Sequence, residues 1–269
     1  MSSQALPEIS ERDATGQVAE LYEEIRRTVG LPLVNLLYRV LAASGRLDTT
    51  WAQLGPNLRD PSISLAAEDV VAQVTTVCSA IPPAALATVG LAGPTLASAQ
   101  STTAAYMHAN PRNLLAATAL LEEAPGTGAS EPSAVALPPP PSWDILPMAQ
   151  LDALSPEARA LLDEMSAPLV TPGEGALVPS LLRHFAQEPA LLAVLWTAVA
   201  PVVESGAVAQ TAEKVVTRAR ERAAALPFAI ERLSDEQTRE TLARFQFTIS
   251  RMIVVGRLLE YALGARRPD

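Results

Sequence analysis

Chemistry in this chain has few carriers, because two histidines and one cysteine stand among 269 residues. His108 lies two residues before Asn110 in AYMHANPRN, close enough to share a site with it. His184 lies in SLLRHFAQEP, a largely apolar stretch. Histidine titrates near neutral pH, so either ring could serve as a general base. Either could equally be a satisfied core or boundary residue of an apolar helix. Asn110 directly precedes Pro111, and Asn before Pro is the expected N-cap of a helix beginning at the proline. Such a start would also offer free N–H groups and a positive dipole end to an anion. A lone Cys78 excludes an internal disulfide and suits a reducing cytoplasm. One Cys and two His argue against a transition-metal site, and no spacing of carboxylates suggests an all-oxygen one.

Charge narrows the partners. The formal net charge of −9 leaves nothing to neutralise phosphates, so nucleic acid is not expected as a partner. Arg218, Arg220 and Arg222 are interleaved with Glu213 and Glu221 and read as a solvated helix face. The opening MSSQALPEISERD has no basic stretch followed by an apolar core. The most apolar long run, Leu177 to Ala200, contains Arg183, His184 and Glu188. These features predict a cytoplasmic protein without a membrane span.

The elements that must position any site follow from composition and period. Apolar residues make up 49% of the chain and aromatics 4%, a core of Leu, Ala and Val that favours helix. No stretch sustains two-residue alternation, so strands should be few or absent. Residues 125–145 include PGTGASEPSAVALPPPPSW and read as a linker between halves 1–124 and 146–269. The halves repeat one pattern. LPEISERDATGQVAELYEEI from Leu6 aligns with LPMAQLDALSPEARALLDEM from Leu146 at an offset of 140. After the insertion TPGEG the offset becomes 145 and holds, pairing Leu36 with Leu181, Trp51 with Trp196, Pro56 with Pro201 and Pro82 with Pro227. AEDVV from Ala67 falls on AEKVV from Ala212. A duplicated helical unit is expected, about five helices per half, arranged as a pseudo-dimer. Thr15, Ser64, Ser155 with Pro156, and Ser234 with Gln237 are expected helix starts, and Gly30 and Gly264 expected stops.

VNLLYRVLA in the first half, ANPRNLLAATALLEEA before the linker and VVTRARERAAALP near the end resemble the group I 2-haloacid dehalogenases, which act on both enantiomers. The resemblance runs over nearly the whole chain. It implies an all-helical pseudo-dimer with a small-acid pocket between the repeats and a cofactor-free hydrolysis. In that family an aspartate activates a water that displaces halide from C2 directly.

Carried over residue by residue, the family's Asn-Pro pair falls on Asn110 and Pro111. Its water-activating aspartate, eight residues before a proline, falls on Leu181, beside Ser180. Pocket aromatics fall on Leu33 and Leu36, and one in the last helix on Phe245. The asparagine and one aromatic survive, but leucine can neither accept a proton nor hold a water. Glu174 in TPGEG and Glu188 are the nearest replacement carboxylates, each with an ordinary solvated reading; His184 lies one turn from Leu181, and His108 is a fourth candidate. The equivalent stretch of the second half, FQFTISRMIVVGRLLEY, has no Asn-Pro break.

The expected protein is therefore a divergent dehalogenase-like enzyme, without cofactor, that acts on a small or apolar carboxylic acid and is a possible homodimer. An active dehalogenase with a different base and a non-catalytic binder of the same fold are the alternatives. The missing aspartate predicts little halide release from either enantiomer of 2-chloropropionate. The resemblance also predicts that Leu36, Asn110, Leu181 and Phe245 meet at one cavity.

Overall fold

The computed structural model describes residues 6–128, 141–172 and 177–265. The all-helical reading holds: eleven α-helices and one short 3-10 turn, Ala167–Leu169, account for the regular structure of the described residues. Their one β-feature is an isolated antiparallel bridge between Ala124 and Ile230. On the first side lie α1 (Gly16–Val29), α2 (Leu36–Ala43), α3 (Leu47–Arg59), α4 (Ser62–Val71), α5 (Pro83–Thr88) and α6 (Gly93–Glu122). On the second lie α7 (Pro156–Ser166), α8 (Ser180–Phe185), α9 (Pro189–Glu204), α10 (Ala207–Ala224) and α11 (Glu236–Ala262). Trp51 and Pro56 sit in α3, Trp196 and Pro201 in α9. Pro82 caps α5, whereas Pro227 lies in the turn after α10. The first side thus has one helix more than the five expected.

Local signals fixed several ends. Gly30 stops α1 with φ 73°, a left-handed conformation in which glycine has no Cβ to clash. Ser155 caps α7, its side chain accepting from the Ala158 N–H at 3.1 Å, with Pro156 at the first helical position. Thr15 precedes α1 but makes no side-chain cap bond. Other starts shift. α4 begins at Ser62 rather than Ser64, because Pro61 already sits in helical backbone ahead of it. The cap of α11 is Asp235 rather than Ser234, since its carboxylate accepts from the Thr238 N–H.

The largest correction concerns Asn110 and Pro111. No helix starts there: both lie inside α6, which runs unbroken for 30 residues. Pro111 removes the N–H that would have bonded the Met107 carbonyl. The helix tolerates this because α6 is buried nearly all round, so packing rather than propensity holds it. Its closest companion is α11, the other long buried helix, and their contact is the most extensive between any two elements. At Gly256 of α11 the helices approach so closely that a Cβ would fall 2.5 Å from the Met107 sulfur.

The described end of the linker is packed against the first side. Trp143 donates its indole N–H to the Gly30 carbonyl at 2.7 Å, and the Leu146 N–H is received by the Thr102 hydroxyl. No single described helix is long and apolar enough to cross a membrane.

Candidate functional site

A cavity of about 50 Å³ opens where α2, α6, α8 and α11 meet. Helical spacing accounts for its walls. Tyr106 and Asn110 are four apart on α6, and Phe245, Thr248, Ile249 and Met252 are three and four apart on α11, so each set shares a face. Asn35 and Leu36 come from the start of α2, Leu177 to Pro179 from the approach to α8, and Ser180 and Leu181 from its first turn. The volume suits a ligand of a few heavy atoms rather than a drug-sized one.

Most of the wall is apolar, and its polar groups divide into two kinds. Asn35 is already engaged, its Oδ1 capping the Leu37 N–H at 3.0 Å. Tyr106 is engaged as well: its hydroxyl lies 3.0 Å from Nε2 of His184, with the Ser180 hydroxyl beside it. Asn110 and Thr248 are not. The Asn110 amide, in a residue 4% exposed, makes no hydrogen bond within the described residues; the Thr248 hydroxyl, in a residue 6% exposed, is buried without a partner among them. Buried polar groups are almost always paired. Two unpaired ones on one small cavity mark where a ligand or water would bind.

Tyr106 and His184 are each 3% exposed. His184 Nδ1 faces the Leu146 carbonyl, which can only accept, so Nδ1 carries the hydrogen and Nε2 is left to accept from Tyr106. Burial pushes the His184 pKa below the ordinary histidine value, with Arg183 acting in the same direction and the Leu146 and Pro147 carbonyls opposing it. Burial raises the Tyr106 pKa. The resting pair is therefore a neutral phenol donating to a neutral imidazole.

Of the residues singled out from sequence, Leu36, Asn110, Ser180, Leu181 and Phe245 line this one cavity. Leu33 is partly buried against the core and is not on the lining. His184 stands behind Tyr106 rather than on the wall. His108 belongs to a separate groove with Glu68, Arg112 and Arg257. There burial and the Arg112 charge lower its pKa to about 4, while its ring packs against Trp143. Glu174 lies outside the described residues, and Glu188 is exposed at the start of α9. No described lining residue carries a carboxylate. Among the described residues no group of three or more His, Cys, Asp or Glu is placed to hold a metal. Tyr106 and Thr248 were missed. Tyr106 stands in SAQSTTAAYMHAN, where one aromatic among small residues reads as core, although its four-residue spacing from Asn110 was a usable signal.

No protein-family model matches the sequence, and no curated protein matches it. Solved structures do. A complex of D-2-haloacid dehalogenase with L-LA superposes with a TM-score of 0.83 at 18% identity, covering 98% of each chain. A mutant D-2-haloacid dehalogenase gives 0.80 at 18% identity, and a mutant in complex with D-2-CPA gives 0.79 at 19%, each covering 97% of both chains. Over essentially its whole length, the chain has the fold of the D-2-haloacid dehalogenases.

Proposed function

We propose that the protein is a divergent 2-haloacid dehalogenase-like enzyme that binds a small carboxylic acid in the cavity between α6 and α11 and acts on it without a cofactor. The observation that carries this reading is the Asn110 amide, which stands on a mostly apolar wall with no hydrogen bond within the described residues, beside the buried and unpaired hydroxyl of Thr248. An amide N–H and a hydroxyl are the donors a carboxylate accepts from, and Leu36, Leu181, Phe245 and Ile249 would enclose a short alkyl chain. Support also comes from the shared fold, whose solved structures include D-2-haloacid dehalogenase with L-LA and with D-2-CPA. In this reading the enzyme is cytoplasmic, and its two helical halves are copies of one unit.

A second reading, a non-catalytic binder of the same ligand, is favoured by Leu181, which stands on the wall with no carboxylate beside it among the described lining residues. One experiment separates them. Propionate and both enantiomers of 2-chloropropionate are titrated calorimetrically, and halide release is followed in parallel. Saturable binding with halide release supports the enzyme, and binding without release supports the binder. Absence of binding by all three acids overturns both.

A further inference from the structure

We propose that Tyr106, backed by His184, is the proton acceptor of this pocket and occupies the role left open by the absence of a carboxylate. The proposal rests on the reading above that the cavity takes a small carboxylic acid.

Three observations carry it. Tyr106 is the one ionisable side chain among the described lining residues, and its hydroxyl already donates to a base at 3.0 Å. That base is held in the required tautomer, because the Leu146 carbonyl fixes the hydrogen on Nδ1. The Ser180 hydroxyl beside the phenol oxygen belongs to the cavity lining as Tyr106 itself does, and Asn110 lies one turn of α6 away. This is the arrangement of an acceptor oriented by a second group.

The step balances without an added reagent. A water beside Tyr106 attacks C2 of a 2-halo acid whose carboxylate is held by Asn110 and Thr248. The new C–O bond forms as the carbon–halogen bond breaks, and halide leaves with the electron pair. The water's proton passes to the Tyr106 oxygen, while the Tyr106 proton passes to His184 Nε2. The resulting imidazolium donates from Nδ1 to Leu146, with the Pro147 carbonyl close by. It later returns its proton to solvent, leaving the 2-hydroxy acid. The charged groups acting on the pair are Arg183 on α8, which acts on both members, and Arg39 on α2 with Glu11 of the N-terminal segment, which act on Tyr106; Glu8 in turn acts on Arg183. Arg183 opposes the imidazolium.

The test uses the full-length protein, Tyr106→Phe and His184→Gln, with D- and L-2-chloropropionate as probes. Halide release, calorimetric binding and thermal unfolding are measured on each. Tyr106→Phe should lower turnover by about 100-fold or more, the usual contribution of a general base, with the dissociation constant changed less than about threefold. In the wild type the rate should fall as the pH drops through a histidine titration below the ordinary range, and His184→Gln should abolish that limb. Tyr106→Phe removes one oxygen and keeps the ring, so it remains a test even where His184→Gln fails to fold. Wild-type turnover that survives in Tyr106→Phe within about threefold overturns the proposal and leaves the reading of the pocket standing. Binding without halide release from the wild type also overturns it. Failure of the wild type to bind either enantiomer removes the reading of the pocket itself, and the proposal with it.

Discussion

Arg112 on α6 and Arg251 on α11 make the same contact on the two sides of the molecule. Each guanidinium donates from Nη1 to the carbonyl four residues back, that of His108 at 2.6 Å and that of Phe247 at 3.3 Å. Each also meets the side chain at that position: the Arg251 cation sits 3.4 Å from the Phe247 centroid, and Arg112 Nη1 lies 3.4 Å from His108 Nδ1. Their grooves match too, with Ala67, Glu68 and Val71 beside Arg112 and Ala212, Glu213 and Val216 beside Arg251. The proposed duplication of one helical unit would account for this likeness.

That reading predicts parallel costs. Arg112→Ala and Arg251→Ala should each lower stability by about 1 kcal/mol, from the lost hydrogen bond and ring contact. Urea unfolding measures both. A clear loss in one variant with none in the other would show that the two positions are not equivalent.

How much was legible follows from whether a feature is local. Gly30, and Ser155 with Pro156, declare helix ends through their own backbone chemistry, and both stand where the sequence places them. Asn110 and Pro111 carry an equally strong local signal and do not end α6, because tertiary burial outweighs the break. Tyr106, Thr248 and Asn35 reach the cavity through the crossing of distant helices, and no local pattern encodes that. Leu36, Leu181 and Phe245 could be placed on one wall only by resemblance to a known fold.

Leu181 seals the cavity beside the crossing of α6 and α11 and is 1% exposed. Leu181→Ala should cost about 2–4 kcal/mol and enlarge the space, since the surrounding helices relax only in part. The variant should then bind 2-chlorobutyrate relative to 2-chloropropionate more strongly than the wild type does. An unchanged preference in calorimetric titrations would place the alkyl group elsewhere.

His108 sets a pH limit on stability. Its pKa is lowered in the fold from 6.5 to about 4, by burial first and by the Arg112 charge second. The unfolded chain therefore takes up its proton first as the pH falls. Stability from this residue is intact above about pH 6.5 and is lost between there and about 4. Because the ring is only partly buried, the loss should be roughly 1–2 kcal/mol. The unfolding free energy of His108→Gln, compared with wild type at pH 7 and pH 4.5, should improve on acidification. A gap that stays constant across that range would contradict the cause assigned.

Asn110 should separate stability from function. Its amide makes no hydrogen bond within the described residues, and the residue as a whole is 96% buried, the complement of its 4% exposure. Replacing an unpaired polar group by an apolar one of similar size removes a desolvation penalty. Asn110→Leu is therefore expected to unfold no more easily than wild type, and to gain up to about 1 kcal/mol. The same change removes the free amide donor on the cavity wall, so affinity for 2-chloropropionate should fall at least about tenfold, the equivalent of one hydrogen bond to a charged group. Thermal unfolding and calorimetry on one preparation read both effects. A variant that binds as well as wild type, or that unfolds several kcal/mol more easily, would mean that Asn110 is a packing residue whose partner is a water inside the fold.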